Sequence, residues 1–167
     1  MNTQDSRDQI ALIGAGPSGL AAARNLQKLG LNFQGFEAHT EVGGLWNIQN
    51  PRSTVYESAH LISSKTTTEF AEFPMKADVA DYPSHREMCD YFSDFASHFD
   101  LRRHFKFGAK VKSVTPVVEA ARSTMAQSKV RGSSPLWKVQ WSDSEGHHEA
   151  EFKGVVIANG TLAEPNM

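Results

Sequence analysis

Cysteine is nearly absent from this chain, because Cys89 is the only cysteine among its 167 residues. A single cysteine excludes an internal disulfide and a Cys-x-x-Cys redox pair. Neither sign of charge predominates: the formal net charge is −2, so we do not expect a nucleic-acid partner. None of the seven histidines has metal-ligand spacing to a second strong ligand, so we expect no metal site.

Long apolar runs are missing as well. No stretch approaches the roughly 18 apolar residues that a membrane helix needs, and residues 1–8 are polar where a signal peptide would have an apolar core. A chain of this length can bury a core of its own as one domain. We therefore expect a cytoplasmic protein without a membrane partner, in which residues 1–167 form one domain.

The first forty residues have the pattern of a strand–helix–strand unit. Gln9–Ile13 is a short apolar run that predicts a buried parallel strand. Leu20–Leu29 has apolar residues at helical spacing and ends before Gly30, a common helix terminator. Leu31–Glu37 predicts a second strand, which completes one βαβ unit.

The remainder combines a long loop, one helix and several strands. Residues 38–83 are irregular, and a loop region of this length is usually functional. Ser84 and Glu87 have capping-box spacing, so a helix is expected from Ser84 onward, with one apolar face formed by Met88, Tyr91, Phe92, Phe95 and Phe99. Strands are expected at residues 110–115, 135–142, 148–152 and 154–158, with a mobile connection over 120–134.

A glycine motif stands between the first strand and the first helix, with the sequence Gly14-Ala15-Gly16-Pro17-Ser18-Gly19. In a G-x-G-x-x-G loop, Gly14 permits a tight turn, Gly16 lets a pyrophosphate approach the backbone, and Gly19 lets the helix pack closely on the strand. The free amides at the helix start then hold the phosphates. A plain βα turn is the alternative interpretation.

Glu37 ends the second strand, 21 residues after Gly16. An acidic residue at this distance typically accepts hydrogen bonds from the ribose hydroxyls of a dinucleotide. Its charge would repel a 2′-phosphate, so we expect FAD or NAD in preference to NADP at this site. A solvated carboxylate at a strand end is the alternative.

Three further features resemble flavoproteins with two dinucleotide-binding domains. Gly43-Gly44-Leu45-Trp46 stands where these proteins bring the backbone close to the FAD diphosphate and flavin. The apolar run at 155–158 ends at Asn159-Gly160, which is similar to the turn that approaches FAD in this superfamily. Val111 resembles the position that contacts adenine through its backbone. Trp46 can equally be a hydrophobic anchor for its loop.

The chain is more specifically similar to flavin-containing monooxygenases, on the motifs Val55-Tyr56-Glu57-Ser58, Ser63-Ser64-Lys65, Phe70-Ala71-Glu72-Phe73-Pro74 and Tyr82-Pro83. The similarity runs from about Ile10 to Leu101 and resumes at Val155. It implies an α/β fold, a Rossmann-like FAD-binding domain with a central parallel sheet, helices and a small antiparallel β-meander. It also implies that residues 1–167 are the first segment of that domain, without the family's NADPH domain and C-terminal return segment.

The resemblance implies a flavin-dependent enzyme that uses NADPH to oxygenate a nitrogen- or sulfur-containing small molecule. Its cofactor-binding residues here are Gly14, Gly16, Pro17, Ser18, Gly19, Glu37, Gly44, Leu45, Trp46, Val111, Asn159 and Gly160. No second G-x-G-x-x-G occurs in the chain, so we expect no NADPH site in it. One alternative is an FAD-binding fragment without independent catalysis. An exposed face, where further domains would dock, would favour self-association.

Ile62 is the main departure from the family pattern. Members commonly place an asparagine there, whose side chain helps to hold the reacting end of the flavin and the nicotinamide, whereas isoleucine cannot form a hydrogen bond. We assign no catalytic residue and expect Ile62 to be a packed strand residue. A flavin oxidase or reductase that lacks oxygenation is therefore a further alternative.

Overall fold

The computed structural model describes residues 6–117 and 136–161. Its centre is a parallel sheet of four strands, β1 (Ile10–Ile13), β2 (Phe33–Glu37), β3 (Phe105–Phe107) and β7 (Gly154–Ile157). The strand order in the sheet is β3-β2-β1-β7. Because β1 pairs with both β2 and β7, the carboxyl ends of these three strands meet at one edge of the sheet. The expected mobile connection at 120–134 lies outside the described residues.

The first helix, α1 (Pro17–Lys28), begins three residues earlier than predicted. Proline is well suited to the first helical position, because its missing N–H would have no partner there and its fixed φ is helical. The apolar pattern alone could not detect this first turn. Both flanking strands are shorter than expected: β1 starts at Ile10, and β2 starts at Phe33 because Leu31 is exposed in the connection after the helix.

The long helix α3 (His85–His98) has the predicted cap and apolar face. Ser84 Oγ accepts a hydrogen bond from Glu87 N at 3.3 Å, and Glu87 Oε2 accepts one from Ser84 N at 2.8 Å, which completes the capping box. Met88, Tyr91, Phe92 and Phe95 are buried in the main core, and Phe99 packs against it. The helix therefore covers the face of the sheet that α1 also covers.

A three-stranded antiparallel meander forms a second layer from β4 (Lys110–Pro116), β5 (Trp137–Asp143) and β6 (Gly146–Phe152). Its buried side chains join those of the parallel sheet in a smaller core of Ala11, Phe36, Ala109, Val139, Trp141 and Phe152. The expected α/β class, with a central parallel sheet and a small β-meander, is confirmed. Strand β3 was not predicted, because three residues are too short for a periodic signal.

The region 38–83 is irregular, as expected, apart from a 3₁₀ turn at Gly44–Trp46 and the short helix α2 (Lys65–Thr68). The expectation that Ile62 packs in a strand is wrong: its side chain is 99% exposed. It lies in a loop between two backbone hydrogen bonds, from Leu61 N to Pro83 O at 2.8 Å and from Lys65 N to Asp81 O at 2.8 Å. Among the described residues, no helix is both long and apolar enough to cross a membrane.

Candidate dinucleotide-binding site

A cavity of about 670 Å³ opens at the carboxyl edge of the parallel sheet. In open α/β sheets, ligands bind in the crevice outside this edge, and volumes of about 300–1,000 Å³ are typical of ligand pockets. Ten of the twelve predicted cofactor-binding residues line it: Gly14, Gly16, Pro17, Ser18, Glu37, Gly44, Leu45, Val111, Asn159 and Gly160. Residues far apart in the sequence therefore converge on one space.

The glycine loop is shaped by contacts that exclude side chains. Gly14 has φ +102°, and a Cβ atom there would overlap the carbonyl of Ala158 at the end of β7. Gly19 does not line the cavity. A Cβ atom there would overlap the Gly14 carbonyl. Gly19 thus permits the start of the helix to pack closely on the glycine loop.

Gly16 and Gly44 bring two loops together beside the start of α1. Gly44 has φ +57°, and a Cβ there would stand 2.9 Å from Gly16 Cα. Gly43 N also donates to Ala15 O at 3.0 Å. Gly16 is the N-cap residue of α1, and no side chain caps the helix. A wall of bare backbone next to an uncapped helix start fits a diphosphate, which these amides can bind.

Glu37 is buried beneath the glycine loop, with 8% of its surface exposed. Its Oε2 accepts a hydrogen bond from Ala15 N at 2.6 Å, and its Oε1 accepts one from His39 N at 2.8 Å. Sequence reasoning missed this role in fixing the loop. A carboxylate oxygen has two lone pairs, so both oxygens retain capacity for ribose hydroxyls, and Glu37 still lines the cavity.

The β4 side of the cavity contains an irregularity. Val111 pairs with Trp141 and Ser113 pairs with the next residue, Gln140, so Lys112 is an extra residue in a β-bulge. A bulge leaves backbone groups outside the strand ladder and is common next to binding sites. Val111 lines the cavity beside this bulge, a position that suits the predicted adenine contact.

The turn after β7 and the loop after β2 also line the cavity. Asn159 and Gly160 stand at the end of β7, where Ala158 N donates to Ile13 O at 2.8 Å. Leu45 lines the cavity, but Trp46 does not. Trp46 packs partly buried against the main core, which corresponds to its alternative role as a hydrophobic anchor.

Several lining residues were not predicted, among them Asn50, Arg52, Thr54, Lys110 and Lys112. Lys110 and Lys112 flank Val111 on β4, where the bulge interrupts the simple alternation of the strand, so the strand pattern alone does not predict their positions. Asn50 and Arg52 stand in an irregular loop without any periodic signal. No group of three metal-binding side chains occurs among residues 6–117 and 136–161.

Comparisons with known proteins agree with this geometry. A family model described as flavin-binding monooxygenase-like matches residues 7–167. A probable flavin-containing monooxygenase 1 from Arabidopsis thaliana is 37% identical over 164 residues, which cover 93% of this chain and 30% of the relative. The chain therefore spans less than a third of that relative's length.

Two solved structures share the fold. S-allyl-L-cysteine S-oxygenase from Allium sativum has a TM-score of 0.75 at 26% identity, and the match covers 95% of this chain and 37% of the S-oxygenase chain. An oxidized steroid monooxygenase bound to NADP has a TM-score of 0.73 at 25% identity, and the match covers 95% of this chain and 27% of the steroid monooxygenase chain. The sequence match and the shared fold agree, and the chain belongs to the flavin-binding monooxygenase-like family.

Proposed function

We propose that this chain binds FAD within a flavin-dependent monooxygenase that uses NADPH to oxygenate a small molecule at nitrogen or sulfur. The observation that carries the proposal is the cavity in which the glycine loop, Glu37 and the end of β7 converge. The similar S-oxygenase acts on a sulfur compound and the similar steroid monooxygenase was solved with NADP. Both support the chemistry proposed for the parent protein, which we assign to the cytoplasm.

Each part of the cavity has a proposed task in holding FAD. The backbone at Gly14, Gly16 and the helix start Pro17-Ser18 binds the diphosphate, Glu37 accepts hydrogen bonds from the ribose, and the backbone at Val111 contacts adenine. The flavin side is formed by Gly44, Leu45 and the turn Asn159-Gly160, while Trp46 anchors its loop and Gly19 packs the helix. Bound FAD supplies electron transfer and oxygen activation. The chain itself binds and orients the cofactor.

We further propose that residues 1–167 are the first segment of the FAD domain and do not turn over alone. The chain has no second glycine motif of the G-x-G-x-x-G type for a nicotinamide dinucleotide. A mixture of this chain, FAD, NADPH and a thioether should therefore show no NADPH consumption above that of free FAD. Consumption above that background would contradict the fragment proposal and indicate a nicotinamide site in the chain.

Ile62 favours a second candidate function, a flavin oxidase or reductase without oxygenation. Its fully exposed side chain offers no hydrogen bond at the position where the family commonly has asparagine. In a catalytically competent form of the parent protein, hydrogen peroxide in place of an oxygenated thioether would support this candidate. The variant Ile62→Asn should then shift the products from peroxide toward the oxygenated thioether.

Titration with FAD, followed by flavin fluorescence, tests the main proposal. A Cβ at Gly16 would stand 3.5 Å from Gly44 Cα, an ordinary contact, so Gly16→Ala should fold. The added methyl group occupies the space that the diphosphate needs, so FAD binding should weaken by about tenfold or more, equivalent to about 1.4 kcal/mol.

Gly154→Ala is the matched control, because it adds the same methyl group at the far end of β7, 3.8 Å from Ile10 Cγ1. It should bind FAD as the wild type does. Equal affinity in all three proteins would place any bound flavin outside this cavity and contradict the proposal.

A further inference from the structure

The charged side chains of the cavity are unevenly distributed. Three cations line it, Arg52, Lys110 and Lys112, against one carboxylate, Glu37, among the described lining residues. The two oxygens of Glu37 each already accept a hydrogen bond from a backbone amide. Cationic side chains at a cavity can bind the negative groups of a ligand, such as the phosphates of a dinucleotide.

Arg52 stands on a loop that is fixed by side-chain bonds to its own backbone. Asn50 Nδ2 donates to Gly44 O at 3.4 Å, and Asn50 Oδ1 accepts from Arg52 N at 3.0 Å. Ser53 N donates to Asn50 O at 2.8 Å, and Ser53 Oγ donates to Leu45 O. The backbone of Arg52 is therefore tied to the Gly44 turn.

The Gly44 turn is the part of this loop that contacts the glycine motif. Gly44 packs against Gly16, whose Cα would lie 2.9 Å from a Gly44 Cβ. Arg52 is thus linked to the uncapped start of α1, whereas Lys110 and Lys112 stand on β4, the proposed adenine side. Of the three cations, Arg52 is the one whose loop is anchored beside the proposed diphosphate position.

We propose that Arg52 is a diphosphate-binding residue of this site. Its planar guanidinium can donate two parallel hydrogen bonds to phosphate oxygens, which a lysine ammonium cannot match in geometry. It would supplement the backbone amides of the helix start and favour dinucleotides with an intact diphosphate. This inference rests on the proposed FAD site and assigns a side chain to an otherwise backbone-only phosphate cradle.

The test compares FAD binding by the wild-type chain, Arg52→Gln and Arg52→Lys at about 0.01 M and about 1 M salt, where the Debye length falls from about 30 to 3 Å. Arg52→Gln should weaken FAD binding by about ten- to hundredfold at low salt, the range expected for a hydrogen bond to a charged group. The affinity of Arg52→Lys for FAD should lie between those of the wild type and Arg52→Gln. High salt should reduce the difference in affinity between the wild type and Arg52→Gln, because it screens the attraction between the arginine and the phosphates.

Lys153→Gln, which removes a positive charge at an exposed position outside the cavity lining, is the matched control and should bind as the wild type does. ADP, used as a competitor, should lose affinity for Arg52→Gln by the same factor as FAD, because it carries the same diphosphate.

The outcomes separate this inference from the proposed function. Wild-type binding of FAD with unchanged affinity in Arg52→Gln would overturn the role of Arg52 and leave the FAD proposal standing. An equal, salt-independent loss in both Arg52 variants would indicate a purely structural role in the loop and would also overturn it. Unchanged ADP affinity in Arg52→Gln would exclude the diphosphate contact. No FAD binding by the wild type would overturn both.

Discussion

Individual residues in this site have structural tasks that would persist without ligand. Glu37 is the main example, because its carboxylate joins the glycine loop to the end of β2 through Ala15 N and His39 N. The distance from Gly16 along the sequence predicted a ribose contact but gave no indication of these two bonds. Shaping the loop and binding the ribose use the same two oxygens, so stability and affinity are coupled at this residue.

The variant Glu37→Gln tests that coupling. An amide can accept one of the two backbone hydrogen bonds but presents an N–H group to the other amide, leaving a buried donor unsatisfied. We expect a loss of about 1–3 kcal/mol in the free energy of unfolding, measured by urea denaturation, together with weaker FAD binding. Glu145→Gln, at an exposed position between β5 and β6, should change neither quantity. Unchanged stability in Glu37→Gln would contradict the structural role.

Elements show which parts of the fold the sequence specifies locally. Helix α3 could be predicted from its cap and apolar face, and β1 and α1 from the glycine motif between them. In contrast, β3 depends on a tertiary contact, because Phe105 packs against Gly35, where any Cβ would overlap the phenyl ring. Likewise, the contact of Gly16 with Gly44 and the position of Arg52 depend on loop packing between distant segments. Such tertiary contacts have no periodic signal.

The capping box of α3 makes a prediction about pH. Hydrogen bonds from Ser84 N and Ser84 Oγ to the carboxylate hold the pKa of Glu87 below its ordinary value. A carboxyl whose pKa is lowered by folding adds stability above its unfolded pKa and loses it as the pH falls through the folded value. Glu87 should therefore stabilise the protein at pH 7 and cease to do so in acid.

The variant Glu87→Gln isolates this effect. At pH 7 it should be less stable than the wild type in urea, by up to about 1 kcal/mol for loss of a helix cap. The difference should shrink as the pH is lowered below the ordinary glutamate value, because the wild-type carboxyl then becomes neutral too. Asp90→Asn removes a carboxylate from the same helix and is the control. A difference that stays constant with pH would contradict the assignment.

At the scale of the whole molecule, the apolar side chains that remain exposed predict how the chain behaves in solution. Single exposed apolar residues are common, but Ile62 and Tyr82, 57% exposed, lie on neighbouring stretches joined by the bridge between His60 and Ser84. We define this pair as the exposed loop face. The chain covers 30% of its Arabidopsis relative, and we propose that further parts of a parent protein would cover this face.

The exposed loop face should make the chain self-associate, since burial of apolar surface is favourable by about 25 cal/mol per Å². Sedimentation velocity over a range of concentrations should show the wild type forming dimers or larger species. Ile62→Lys should shift the protein toward monomer by placing a charge on that face. Leu29→Lys, at a 71% exposed position after α1, replaces an exposed apolar side chain outside the exposed loop face and should associate as the wild type does.

A monomeric wild type would contradict the prediction. An equal shift toward monomer in Ile62→Lys and Leu29→Lys would indicate nonspecific association, because a specific interface would be disrupted only by the change at Ile62.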